Sequence, residues 1–297
     1  MPSPAGRVMF TGGLPMHEGL SHLNPSILAA ITAESANLHL LLDGALIDAP
    51  KLVYGHDDAP RVEQLYRGTR HEKALAVSPY LAKPSAGSRL WAIKDAWQFK
   101  GILLATNASF EQLADHLRSL ISMSLPSSQL AYCRFYSPQW LVRLLRSTTP
   151  EDFIALSGPI SQWIARTEDG WLSMKPAAAG QSRRAEEEGW FSLRQDQLDL
   201  WAEEEHQKFI ERAVSHLRCE DKQSAAGKLQ RQHIVKLTAM AREMGFIQEH
   251  HCLHYLELAW RFPNDITNQS LSTHFGNQSS SPGQRLQEAE RHLFGLV

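Results

Sequence analysis

Runs able to form buried strands end at one point in this chain, and beyond it only helical periodicity remains. The break is Lys175-Pro-Ala-Ala-Ala-Gly-Gln-Ser-Arg-Arg-Ala-Glu-Glu-Glu-Gly189, a stretch of small and charged residues with no apolar period. Upstream, Leu38-His-Leu-Leu-Leu-Asp43-Gly44 reads as a buried strand ending in an Asp-Gly turn, and Gly101 to Ala105 and Leu130 to Tyr136 read as two more. Ile160 to Ile164 and Trp171 to Met174 predict a hairpin about Glu168-Asp169-Gly170. Helix starts lie between them. Ser109-Phe-Glu-Gln112 has capping-box spacing, and Ser137-Pro138 and Thr149-Pro150 each place a capping hydroxyl before a first-turn proline. Gly158-Pro159 reads as the end of the helix begun at Pro150.

Downstream, Ser192-Leu-Arg-Gln195 predicts a capping box for a helix of about seven turns carrying Leu198, Trp201, Phe209, Ala213 and Leu217. Further helices carry Ile234 to Met244, closed by Gly245, and Leu253 to Trp260, stopped by Pro263. Asn264 to Gly283 reads as loop and Gln284 to Phe294 as a last amphipathic helix. The expected architecture is therefore a mixed α+β lobe over residues 1–174, a linker at 175–189, and an all-α lobe over 190–297. A chain of 297 residues is near the size at which one core divides, which fits two lobes.

Charge narrows the function. The net charge is -2, about +1 up to residue 175 and about -3 after it, so neither half has the positive field of a general nucleic-acid or anionic-membrane binder. Neither a signal segment nor a membrane-length apolar run occurs, and Cys133, Cys219 and Cys252 are too few and too far apart for a disulfide framework; a cytoplasmic protein is expected. The sequons at Asn107, Asn268 and Asn277 then carry no meaning.

Candidates for chemistry are sparse. His250 and His254 lie four apart, with His251 between them, at a spacing suited to one metal ion, but no third ligand follows at a known spacing; polar-face histidines beside a buried Cys252 are the simpler reading. Asp43, at the end of a strand, occupies a place where functional carboxylates occur, although Asp-Gly is equally a turn. A hydrolase or metal-dependent enzyme built on Asp43 or on His250, His251 and His254 is the alternative. Thr11-Gly12-Gly13 and Gly68-Thr69 match no phosphate-binding loop and read as loop punctuation. The eight tryptophans exceed what core filling demands, and Trp190, Trp201 and Trp260 are candidate protein-binding anchors on the helical lobe.

Several pieces occur together in a familiar order. Leu40-Leu-Leu-Asp-Gly-Ala45, Leu65-Tyr-Arg-Gly-Thr69, Ser78-Pro-Tyr-Leu81, Trp97 to Leu104, His116-Leu-Arg118, Cys133-Arg-Phe-Tyr-Ser-Pro138 and Ser157-Gly-Pro-Ile160 run in series. Over residues 36–174 the chain resembles the effector-adaptor, or effector-chaperone, family of bacterial type VI secretion systems. Ser137 stands where that family has an aspartate, and its hydroxyl can still cap the helix. The resemblance implies a mixed N-terminal lobe, a variable helical lobe, and a non-catalytic protein that binds a toxic effector and promotes its loading onto the VgrG spike or its PAAR tip. It implies no cofactor and no catalytic residues. Asp43, Gly44, Arg134, Tyr136, Pro138, Gly158 and Pro159 are carried over as fold markers.

Overall fold

The computed structural model describes residues 20–33, 37–220, 227–266, 269–276 and 279–295. The Thr11–Gly13 stretch and the sequons at Asn268 and Asn277 lie outside them. Two compact units are present, Met1–Gln197 and Leu198–Val297. The first is α+β and the second all-α.

The first unit is built on a seven-stranded, wholly antiparallel sheet. Its strands are β1 (Leu20–Leu23), β2 (Leu38–Leu42), β3 (Arg61–Gln64), β4 (Tyr80–Lys83), β5 (Gly101–Thr106), β8 (Ile160–Thr167) and β9 (Gly170–Met174), in the order β1-β9-β8-β5-β2-β4-β3. A small hairpin of β6 (Ser122–Ser124) and β7 (Leu130–Tyr132) stands apart. The run Leu38-His-Leu-Leu-Leu42 is buried along its whole length because both faces of the sheet are covered. Leu38, Leu40 and Leu42 join the core beneath α1 (Pro25–Ala33) and α2 (Ala49–His56), together with Val53, Trp97 and Trp171. On the opposite face, His39 lies 5.9 Å from the ring of Phe110 in α3 (Phe110–Ser119), and α4 (Pro138–Ser147) packs on β8.

Local chemistry sets the helix boundaries. Ser109 and Gln112 form the reciprocal capping box of α3, and Thr149 accepts from the Asp152 N–H to cap α5 (Pro150–Ser157). Ser137 is the N-cap residue of α4, but its side chain makes no capping bond, which corrects the expected role. Proline at the first helical position does the work there, since its φ is already helical. The expected third strand stops at Tyr132; beyond it the chain turns, with Ser137 N–H donating to the Arg134 carbonyl at 2.9 Å.

The expected linker is a correction. Residues 175–197 belong to the first unit. The Gly180 N–H donates to the Gly158 carbonyl (2.8 Å), and Ser124 bonds the Phe191 carbonyl and the Leu193 N–H (2.8 Å each). Gln197 reaches the Ser147 carbonyl (3.0 Å), and Arg194 pairs with Asp152 (2.5 Å). Low hydrophobicity reflected polar docking here, not freedom. Ser192 is likewise no helix cap, because it bridges to Ser124 and the helix starts three residues later.

The second unit contains most of α6 (Gln195–Glu220), then α7 (Gly227–Glu243), α8 (Glu249–Arg261), α9 (Gln269–Gly276) and α10 (Pro282–Leu293). Helix α9 falls inside the stretch expected to be loop. Ile210, Leu217, Phe246, Tyr255, Phe275 and Leu286 centre its core. Arg285 is buried here, donating to the Met244 carbonyl (2.9 Å) and the Phe275 carbonyl (2.5 Å) where α7 and α9 end, so its charge sits at the negative ends of two helices. Among the described residues, no helix is long and apolar enough to cross a membrane.

Candidate functional site

Where β2 ends, its last peptide leads into Asp43, whose side chain is fully buried. The Asp43 N–H donates to the Lys100 carbonyl (2.8 Å), and one carboxylate oxygen accepts from the Ala45 N–H (3.1 Å), which folds the chain into a tight turn. The other oxygen accepts from the Arg134 guanidinium. That hydrogen bond and charge hold Arg134 protonated above its ordinary range. Gly44 is required sterically: a Cβ there would overlap the Ser78 carbonyl oxygen.

Arg134 opens the turn that leads to α4, and Tyr136 follows it. The Tyr136 hydroxyl contacts those of Tyr132 and Tyr66, the latter at 3.3 Å. Tyr66 and Tyr132 also meet through their hydroxyls, and the Tyr66 N–H donates to Ser78 Oγ at 3.0 Å. Burial pushes the phenols of Tyr66 and Tyr136 up, so they remain protonated donors. The network ties together the end of β2, the β3–β4 connection and the β7–α4 turn.

Beside it lies a groove of about 560 Å³ lined by residues 44–50 with Gln64, Ala76, Ser78 and Tyr80. Small side chains form much of its wall, and the exposed apolar residue Leu46 lies within it. With both carboxylate oxygens engaged, Asp43 acts as a strut that sets one wall of this groove. Among the described thiols, burial pushes Cys133 up to about 12 and Cys252 up to about 11, which keeps both protonated.

A second cluster was not foreseen. Glu188 accepts from His71 Nε2 (2.8 Å) and Arg70 Nη2 (3.1 Å), while Arg70 also donates to Ser122 Oγ (2.6 Å). Burial pushes the Glu188 carboxyl up, but hydrogen bonds from Ser122 and His71 and the charges of His71 and Arg70 outweigh it and hold it below its ordinary range. The rings of Tyr66 and Tyr132 stand 5.5 and 5.8 Å from His71. The one sequence signal is the run Glu186-Glu-Glu188 in a stretch of small and charged residues.

The remaining markers hold structure. Pro138 opens α4. Gly158 has φ +51°, and a Cβ there would strike the ring of His116. The carbonyl of Pro159 accepts from Thr106 Oγ1 at 2.6 Å. Of the candidate anchors, Trp201 is buried, which removes it from the surface. Trp190 is half-buried and donates to Ser119 Oγ (3.0 Å), while Trp260 packs against the helical core. The exposed tryptophan is Trp140, at 43%. The alternative metal centre is not assembled: His254 pairs with Glu290 (3.2 Å), and among the described residues no three His, Cys, Asp or Glu side chains are placed to hold a metal ion.

Residues 38–153 match the model of a family described as a domain of unknown function (DUF4123). No curated protein and no solved structure matches the chain.

Proposed function

We propose that this chain is a cytoplasmic adaptor of a bacterial type VI secretion system, which binds a toxic effector and promotes its loading onto the VgrG spike or PAAR tip without bond-making chemistry of its own. One observation carries this reading. Six of the seven sequence runs that resemble effector adaptors lie within the stretch matched by the DUF4123 model, and the seventh begins four residues beyond it. The geometry supports recognition: Asp43, Gly44, Arg134 and Tyr136 brace a groove with an exposed apolar residue, a form suited to anchoring a partner side chain. Two compact units supply two surfaces, and holding both partners on one chain raises the effective concentration of each for the other.

Affinity purification of the tagged chain from its native host, followed by mass spectrometry, is the test. Recovery of a spike, PAAR or toxin protein is expected. A preparation that captures no component of the apparatus, or that turns over a small substrate by itself, overturns the reading. Deleting residues 198–297 then assigns the partners, with loss of effector capture and retention of spike capture expected, because the helical unit lies outside the matched stretch.

A further inference from the structure

Glu188 is 118 residues from Arg70 and 117 from His71, yet its carboxylate is the point on which both converge, with the Ser122 hydroxyl beside them. A carboxylate only accepts, so it is His71 Nε2–H that donates to it. His71 at 2.8 Å and Arg70 at 3.1 Å from one carboxylate oxygen, with Arg70 itself held by the Ser122 hydroxyl at 2.6 Å, make a carboxylate receptor of good geometry. The segment that delivers Glu188 is lightly held. None of residues 181–190 is buried, whereas Phe191 and Leu193, just beyond, are. Its attachments are polar: the Arg183 N–H to His116 Nδ1 (3.2 Å), Trp190 Nε1 to Ser119 Oγ (3.0 Å), and Ser124 Oγ to the Gly189 carbonyl (2.6 Å). Contacts of this kind exchange with another polypeptide at small net cost, and a segment with little buried apolar surface opens locally.

We infer that Arg70, His71 and Ser122 form a receptor for an acidic side chain of a partner polypeptide, and that Glu188 fills it in cis until the strap of residues 181–190 lifts about Phe191. A polypeptide is the fitting source, because Leu130 and Tyr132 on β7 are exposed next to the receptor and Leu130 lies against Gly189. That apolar rim serves the neighbour of an acidic residue and offers nothing to a free acid. The adaptor reading is needed only to say which protein brings the carboxylate.

The test uses the full chain and a labelled synthetic peptide copying residues 182–194. Wild type, with its receptor filled, binds this peptide weakly. Glu188→Gln binds it at least 10-fold more tightly, adding Arg70→Ala abolishes the gain, and a peptide with Gln at the position of Glu188 shows none. An unchanged affinity in a folded Glu188→Gln protein overturns the site, as does equal competition by glutarate at the same concentration, which would make the ligand a free acid. Hydrogen exchange is the second measurement. Amides of residues 183–190 exchange faster than those of β6 in wild type; protection equal to that of β8 overturns the lifting strap. Neither readout involves a secretion component, so failure here leaves the capture experiment standing, and the reverse holds.

Discussion

The Asp43–Arg134 pair is asymmetric, and the asymmetry makes a prediction. Asp43 is fully buried, while 39% of the Arg134 side chain remains exposed. Arg134→Ala strands a carboxylate away from water and is expected to cost about 3–5 kcal/mol, whereas Asp43→Asn leaves a guanidinium that can rehydrate and a side chain that still accepts from Ala45, for about 2 kcal/mol. Urea denaturation at pH 7 measures both, and the opposite order would refute the strut. Two buried histidines set the acid limit. Burial, with Lys83, lowers His39 to about 4, and burial, with Arg183, lowers His116 to about 4. Unfolded imidazoles bind a proton near pH 6.5, so between 6.5 and 4 the unfolded chain holds more protons. Stability is whole above that window and falls as the pH drops through it, by up to about 3 kcal/mol per histidine. His116 is satisfied, donating to the Leu156 carbonyl (2.9 Å) and accepting from Arg183; the ring nitrogens of His39 have no hydrogen-bond partner of ordinary geometry. His39→Leu should therefore stabilise the protein by about 1 kcal/mol at pH 7 and remove about half of the pH slope in the urea midpoint. A slope left intact would place the acid sensitivity elsewhere.

At the scale of elements, the caps separate three positions that look alike in sequence. Ser109→Ala and Thr149→Ala each remove a side chain that accepts a backbone N–H and should cost about 1 kcal/mol; Ser137→Ala removes none and should stay within about 0.5 kcal/mol. Equal losses at all three would contradict the geometry. The same contrast marks how far the fold was legible. Strands β2, β5, β8 and β9 announce themselves because both faces or the hairpin turn demand apolar runs. Strand β3, Arg-Val-Glu-Gln at an edge, does not, since one long side of it meets solvent and Glu63 is held by Arg118 (2.8 Å). Strand β1 gains its identity only from β9, with Leu20 opposite Met174, a pairing no local window contains. Asp43 and Gly44 were legible as a turn, and their partners were not: topology alone brings Arg134 to Asp43 across 91 residues and gathers Tyr66, Tyr132 and Tyr136 at one point. Helix α9 was hidden in a stretch of Asn, Ser and Thr, whose preference for turns is overridden by Leu271 and Phe275 in the core.

For the whole molecule, the decisive boundary is whether the first unit ends near residue 175 or after Gln197. Composition puts the break at Lys175–Gly189; packing moves it more than a turn of helix further on, because His116, Ser119, Ser122, Ser124 and Ser147 all take partners from residues 180–197. A fragment ending at Lys175 leaves those groups unpaired and strips Phe191 and Leu193, 4% and 7% exposed, from the core. Two such side chains are worth about 4 kcal/mol in burial, a large share of the 5–15 kcal/mol typical of a domain, before the lost hydrogen bonds are counted. The fragment ending at Lys175 is therefore expected to be unfolded or aggregated, and the one ending at Gln197 to unfold in a single cooperative urea transition with dispersed amide resonances. A cooperative transition from the shorter fragment would restore the stretch from 175 to 189 as a true linker and, with it, leave Glu188 no fixed place beside Arg70 and His71. Failure of the longer fragment alone would show instead that the sheet unit requires the helical one, so that one fold, not two, presents the surfaces an adaptor needs.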